Sequence, residues 1–266
     1  MEQKTLPVGR GTARAWTGGE GEAIVLLHGG WSGAEPYWSK VADELAGTHH
    51  VVAPELPGIG VPGDLLASFG AYADWLDELL AALGVERATV VGNALGAAIA
   101  WRYAAQFGTP SADRCAGLVM VNGYPPPAYP GSVRWLVRRT PLRRMIRATY
   151  ARNLYGSAAL ATAFHDRRNV PRAIANALDR FSAAEIDAVL DLMLSDEPAL
   201  PPPAVRTLLL FGEADRLPPP DRRGARRMRP SLVDSRLVTI PAAGHMPQVE
   251  HPVAFLRAIR SFVDGA

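Results

Sequence analysis

The chain has 266 residues, of which 48% are hydrophobic and 20% are charged, and its formal net charge is +2. This composition excludes a disordered chain, and so small a charge gives no reason to expect a nucleic acid as partner. The single cysteine, Cys115, excludes an internal disulfide framework and a cysteine-based metal cluster. There is no signal-peptide core and no apolar run long enough to cross a bilayer. We therefore expect a cytoplasmic protein with a small-molecule substrate and no membrane partner, and a homodimer is left open.

Six short apolar segments are typical of strands that are covered on both faces of a sheet. In chain order they are Ala23–Leu27, His50–Pro54, 88–91, 118–121, 207–211 and 237–240. Helical spacing of apolar residues predicts helices at 35–45, 69–83, Leu95–Phe107 and 253–263. Short strands that alternate with helices indicate an α/β protein with a mostly parallel sheet.

Residues 124–203 interrupt this alternation. Proline triplets stand near both ends of the segment, at 125–127 and 201–203. Between them lie helical patterns at 133–153, interrupted at Pro141, and at 183–194. This predicts a helical cap at 124–203 on a core made of 1–123 and 204–266, placed over the sheet edge where ligands bind in such folds. A cap in that position excludes water and shapes a pocket.

The turn after the strand at 88–91 carries the strongest sequence signal. Gly92 and Gly96 stand two residues before and after Ala94, which allows the sharp strand-to-helix bend of a nucleophile elbow. The centre of such a turn normally holds a serine, an aspartate or a cysteine. Here it holds a methyl group, which can neither attack a carbonyl nor accept a proton.

An acid and a histidine follow the elbow in the chain order that accompanies it. Asp215 comes just after the strand at 207–211, and His245 lies in the loop after the strand at 237–240. A buried carboxylate would fix the imidazole tautomer and leave the other ring nitrogen facing the elbow. The backbone N–H groups of Gly30 and Leu95 are the candidate oxyanion donors. No spacing of His, Asp and Glu indicates a metal, and no cofactor is predicted.

These motifs resemble those of α/β-hydrolase-fold enzymes over essentially the whole chain. The resemblance rests on four motifs together: 27–30, 92–96, 212–215 and 244–245. It implies an eight-stranded, mostly parallel sheet flanked by helices, with a helical cap. The Gly-Asn opening of the elbow and the His-Gly-Gly loop are similar to the branch that contains carbon–carbon-bond (meta-cleavage-product) hydrolases. Met246 departs from that branch, which usually has a tryptophan there.

Four side chains are predicted to contact the substrate: Trp31, Asn93, Trp135 and Met246. The cap also carries seven arginines in one largely helical stretch, namely Arg134, Arg138, Arg139, Arg143, Arg144, Arg147 and Arg152. They form either a solvated helix face or an inward-pointing pair for an anionic substrate.

Ala94 has two explanations. Either serine has been replaced by alanine in a working hydrolase of esters, lactones, thioesters or activated carbon–carbon bonds, or the chain naturally lacks the nucleophile. In the second case the His245–Asp215 dyad serves a cofactor-free lyase, cyclase or oxygenase as a base, or the pocket only binds a ligand. The intact remainder of the site favours the first explanation.

Overall fold

Eight strands form one mixed sheet in the order β1-β2-β4-β3-β5-β6-β7-β8. The computed structural model describes residues 1–9, 11–61, 63–139, 141–178, 181–217 and 229–265. The strands are β1 Glu2–Val8, β2 Gly11–Gly18, β3 Ala23–Leu27, β4 His50–Pro54, β5 Ala88–Asn93, β6 Cys115–Val121, β7 Thr207–Gly212 and β8 Ser235–Ile240. All pairings from β4 across to β8 are parallel. The predicted eight-stranded, mostly parallel sheet is confirmed.

The N-terminal hairpin is the part of the sheet that apolar runs did not locate. β1 pairs with β2, and β2 pairs with β4, both antiparallel. β1 is mostly exposed and β2 alternates between exposed and buried positions, because the hairpin lies at the sheet edge. Half-buried strands of this kind do not appear as continuous apolar runs.

Helices cover the sheet, and four of them precede the cap: α1 Ala34–Trp38, α2 Ala42–Ala46, α3 Phe69–Ala82 and α4 Leu95–Phe107. The single helix predicted at 35–45 is wrong, since the chain there forms two short helices. The N–H of Val41 donates to the carbonyl of Trp38 at 2.9 Å, which turns the chain between them. Trp38, Val41 and Leu45 are all buried, so the apolar spacing identified core residues correctly although the helix is broken.

Between β6 and β7, the described residues form five further helices. They are α5 Gly131–Arg139, α6 Leu142–Leu154, α7 Ser157–Ala163, α8 Arg172–Leu178 and α9 Ala183–Met193, with a 3₁₀ turn at Arg167–Asn169. The predicted interruption at Pro141 is confirmed between α5 and α6. The division of the chain into a core and a cap domain stays a prediction.

The C-terminal part after β8 consists of a short helix, Pro247–Glu250, and a closing helix, Pro252–Val263, whose buried face includes Phe255, Ile259 and Phe262. In the described part of the chain, no helix combines the length and the apolar character needed to cross a membrane.

Candidate active site

The elbow has the strained geometry that its glycines predict. β5 ends at Asn93, α4 begins at Leu95, and Ala94 between them has φ 52° and ψ −112°. A non-glycine residue in such a region costs about 1–3 kcal/mol and persists only where the surroundings hold it. A Cβ on Gly92 would collide with the carbonyl of Gly96, and one on Gly96 with that of His28. The turn is therefore built to present the side chain at position 94.

The acid and the histidine meet at the carboxyl edge of the sheet. β7 and β8 are parallel neighbours, with Gly212 opposite Ile240, so the loops that follow them lie side by side. His245 Nδ1 lies 2.8 Å from Asp215 Oδ2. Because an ionised carboxylate only accepts hydrogen bonds, Nδ1 donates and the other ring nitrogen is left for proton transfer.

Asp215 is held in place by Asn122, a residue that no sequence motif indicated. The side chain of Asn122 donates to Asp215 Oδ2 at 2.5 Å and accepts the N–H of Gly212 at 2.9 Å. The N–H of Leu217 donates to Asp215 Oδ1 at 3.0 Å. Asn122 directly follows β6 and has a positive φ of 45°. A polar residue directly after a buried strand is the sequence feature that could have identified it. These donors fix the orientation of the carboxylate that orients His245.

A buried carboxylate links the histidine loop to the cap. Glu250 accepts the N–H of Gly244 at 2.6 Å and the N–H of Asp166 at 3.0 Å. The N–H of His245 itself donates to the carbonyl of Ala163, the last residue of α7. A Cβ on Gly244 would collide with that same carbonyl, so glycine is needed for the approach. The base is thus positioned partly by cap backbone, which no motif in the sequence indicated.

A cavity of about 290 Å³ brings the predicted parts together. Its lining includes Ala94, the dyad, and both predicted oxyanion residues, Gly30 and Leu95. Trp31 also lines it, with its ring centre 5.5 Å from that of His245. The indole N–H of Trp31 donates to the carbonyl of Leu154 at 2.7 Å, which ties the oxyanion loop to the end of α6.

Tyrosines make up much of the remaining wall: Tyr37, Tyr124, Tyr129, Tyr150 and Tyr155. The Tyr155 ring packs against Phe181 at 4.6 Å, and its hydroxyl lies 3.3 Å from the point where a Cβ of Gly30 would stand. Burial raises the pKa of Tyr155 well above its ordinary value, so the phenol stays protonated at neutral pH. A hydrogen-bond donor from the cap therefore adjoins the predicted oxyanion loop, and no sequence motif selected it.

Three of the predicted substrate contacts lie elsewhere. Asn93 is buried and donates to the carbonyls of Val121 and His245, at 3.0 and 3.1 Å. Met246 is buried in the core, and Trp135 on α5 is 59% exposed. None of these three is among the residues that line the cavity in the described part of the chain. Of the four predicted side chains, the structure brings only Trp31 to it.

Two other groups near the site are structural. His28 Nε2 accepts the N–H of Leu56 at 2.9 Å, and burial lowers the pKa of His28, so the ring is a neutral support beneath the Gly29-Gly30 turn. Cys115 is buried at the start of β6, and burial raises the pKa of its thiol to about 12. It supplies no thiolate to replace the missing nucleophile.

Several cap arginines pair with cap carboxylates instead of pointing into the cavity. Arg143 binds Asp187 at 3.1 Å and Asp191 at 2.8 Å, and Arg147 binds Asp187 at 2.6 Å. Of the described residues that line the cavity, none is an arginine or a lysine. Nor do the described residues contain a group of three or more His, Cys, Asp or Glu that could hold a metal.

An elbow-type turn and an acid–histidine dyad at one cavity, which Gly30 and Leu95 also line, are the scaffold of a serine hydrolase. The sequence comparison agrees with this class. The chain belongs to the alpha/beta hydrolase family, whose sequence model matches residues 24–258.

Relatives within this class act on different bonds. The chain is 29% identical to the pimeloyl-[acyl-carrier protein] methyl ester esterase of Edwardsiella ictaluri, over 91% of this chain and 93% of that protein. It is 25% identical to the 2-hydroxy-6-oxo-6-phenylhexa-2,4-dienoate hydrolase of Burkholderia cepacia, over 92% and 88%. Among solved structures, a thermophilic esterase from Thermogutta terrifontis superposes with a TM-score of 0.73 at 24% identity, covering 100% of this chain and 99% of that one.

Proposed function

We propose that this chain is a hydrolase scaffold for an ester, lactone, thioester or activated carbon–carbon bond in a small, largely apolar molecule, with turnover requiring serine at position 94. One observation carries the proposal: position 94, the His245–Asp215 dyad, Gly30 and Leu95 all face one cavity. The strained backbone at Ala94 supports it, because a φ of 52° is costly for alanine and useful for presenting a nucleophile.

The geometry gives each group a step in the serine form. The free ring nitrogen of His245 takes the serine proton as the hydroxyl attacks the carbonyl carbon, and Asp215 stabilises the imidazolium. The N–H groups of Gly30 and Leu95 donate to the oxyanion. His245 then protonates the leaving group, and a water molecule, deprotonated by the same nitrogen, releases the acyl group. With alanine at 94, the loss of the nucleophile lowers turnover by about 10⁶.

The cavity favours a neutral substrate. A carboxylate without a cation as partner is costly to desolvate, and the described lining contains no arginine or lysine and already holds the carboxylate of Asp215. A methyl ester group, as in the name of the Edwardsiella relative, fits this wall better than a carboxylate, as in the dienoate named for the Burkholderia relative.

The test is the Ala94→Ser variant, assayed for hydrolysis of short-chain p-nitrophenyl esters and a set of lactones. We expect turnover that is absent from the Ala94 protein, and faster cleavage of a neutral methyl ester than of the matching half-acid. The matched control is Ala98→Ser, because Ala98 lines the same cavity one helical turn further on but does not stand at the elbow. No hydrolysis by Ala94→Ser, or equal hydrolysis by both variants, would overturn the proposal.

A second function is favoured by Tyr155. A protonated phenol and a histidine base facing one cavity can move a proton from one substrate atom to another without a covalent intermediate. A cofactor-free lyase or cyclase of this kind would work with Ala94 in place and would lose activity in His245→Ala. Product formation by the Ala94 protein in the presence of a candidate substrate, followed by mass spectrometry, separates the two functions.

A further inference from the structure

The outer surface of the cap carries large apolar side chains in contact with solvent. We name as the outer cap face six of the exposed residues of α5 and α6: Val133, Trp135, Leu136, Arg139, Arg144 and Met145. Trp135 is 59% and Met145 62% exposed. Exposed apolar residues scattered singly are ordinary, but a concentration on two consecutive helices marks an interaction surface.

The same face is positively charged. Residues 124–165 contain seven arginines and neither aspartate nor glutamate. Arg134, Arg143 and Arg147 have their charges balanced by carboxylates from α9 and the segment that follows it. In the described part of the chain, Arg139 and Arg144 are exposed and have no ion-pair partner. Two arginines of the outer cap face are therefore not balanced by a carboxylate, whereas three other arginines of the same two helices are.

We infer that the outer cap face docks on an anionic lipid surface. Aromatic and aliphatic side chains interleaved with arginines on a short amphipathic helix are suited to the boundary between headgroups and acyl chains. Arginine matches phosphate with two parallel hydrogen bonds. A second copy of the chain is a poorer occupant, because a two-fold contact would bring two positively charged faces together. The sequence alone predicts no membrane partner, whereas the exposure of Trp135 and Met145 on a positively charged face favours a lipid surface.

The docked face adjoins the cavity. Tyr129, 41% exposed and two residues before α5, is also one of the residues that line the cavity wall. An apolar substrate dissolved in lipid would reach the site without crossing water. This last point rests on the proposed hydrolase function, whereas the docking itself does not.

The test uses the full Ala94 chain and needs no turnover, so its outcome is independent of the hydrolase proposal. Co-sedimentation is measured with vesicles of equimolar phosphatidylglycerol and phosphatidylcholine, and with vesicles of phosphatidylcholine alone. We expect binding to the anionic vesicles at low salt, weaker binding at high salt, and a blue shift of tryptophan fluorescence that Trp135→Ser removes.

Two double variants make the test specific. Arg139→Gln with Arg144→Gln is expected to lose roughly thirtyfold in partitioning, since each arginine near an anionic surface contributes about 1 kcal/mol. The matched control is Val253→Ser with Arg257→Gln, an exposed apolar and cationic pair on the closing helix. The inference is overturned if the protein does not bind the anionic vesicles, or if the control variant loses as much partitioning as the double arginine variant. It is also overturned if ultracentrifugation without vesicles shows a dimer that Trp135→Ser dissociates.

Discussion

The carboxyl edge of the sheet and the cap position their functional groups in different ways. At the sheet edge, backbone geometry fixes the groups: a strained turn at Ala94, close glycine approaches, and adjacent parallel strand ends under Asp215 and His245. In the cap, side chains from short helices do the positioning, through aromatic packing at Tyr155 and ion pairs at Arg143. In the proposed function, the sheet edge carries the chemistry, and the cap selects the substrate and carries the proposed docking surface.

The two regions are nevertheless joined at the histidine. Glu250 accepts N–H groups from both the His245 loop and the cap, and Trp31 donates to the end of α6. A cap that moved freely would have to break these contacts. The cap therefore contributes to the position of the base as well as to the cavity wall.

The largest effect should come from the sheet edge. In the Ala94→Ser background, His245→Ala should lower kcat by about 10⁶, because the serine then has no base. Steady-state ester hydrolysis measures this, with His165→Ala, an exposed histidine in the cap, as the control. A loss of less than tenfold would show that the sheet edge does not carry the chemistry.

The next largest effect is expected at Glu250, which links the cap to the sheet edge. Glu250→Gln should lower the free energy of unfolding by about 1–3 kcal/mol, since an amide cannot accept from both N–H groups and leaves one buried donor unpaired. It should also make the cap more sensitive to protease. Urea unfolding and limited proteolysis test this against the exposed control Glu20→Gln. Unchanged protease sensitivity would mean that the cap and the sheet edge are held independently.

We expect the free energy of unfolding to depend on pH through His28, which lies beneath the predicted oxyanion loop. Burial lowers the pKa of His28 in the folded state. The free energy of unfolding is therefore not reduced by this residue above about 6.5, the pKa of histidine in the unfolded chain. As the pH falls from there towards the folded pKa, the unfolded chain binds a proton that the folded chain does not. Stability should then fall by up to about 1.4 kcal/mol per pH unit from this residue. Urea midpoints between pH 7 and 5, compared with His28→Gln, measure it, and a parallel decline in both proteins would contradict it.

A smaller effect is expected from the cap phenol. Tyr155→Phe in the Ala94→Ser background should lower kcat about tenfold with little change in KM, because the lost donor acts mainly on the developing oxyanion. Tyr150→Phe removes a hydroxyl from another part of the same wall and should leave kcat within a factor of two or so of the parent. A rise in KM alone for Tyr155→Phe would make it a binding residue only.

The smallest effect concerns the cap ion pairs. Arg143→Gln should cost no more than about 1 kcal/mol of stability, because Arg143 and its partners are partly exposed and screened by solvent. Turnover of the serine form should be unchanged. A loss of activity comparable to that of Tyr155→Phe would show that these pairs hold the cavity wall in place.

The structure brings the predicted elbow, dyad and oxyanion residues to one cavity, but only one of the four predicted substrate contacts. Gly92, Gly96 and Gly244 mark places where the backbone bends sharply or closely approaches the carbonyl of another residue, and only glycine fits there. Such local requirements remain visible in the residues themselves. The sequence does not indicate where Trp135 and Met246 lie, because an apolar side chain is equally compatible with a pocket, a core or an exposed face.

What the sequence determined by itself was the α/β sheet, the elbow, and the order of Ala94, Asp215 and His245, since apolar runs and glycine spacing are properties of neighbouring residues. The tertiary structure decided the rest: the supports Asn122 and Glu250, the phenol of Tyr155 beside Gly30, and the exposure of Trp135. Each of these depends on how segments far apart in the chain pack together. That packing is set by the whole core, so no short stretch of sequence contains it.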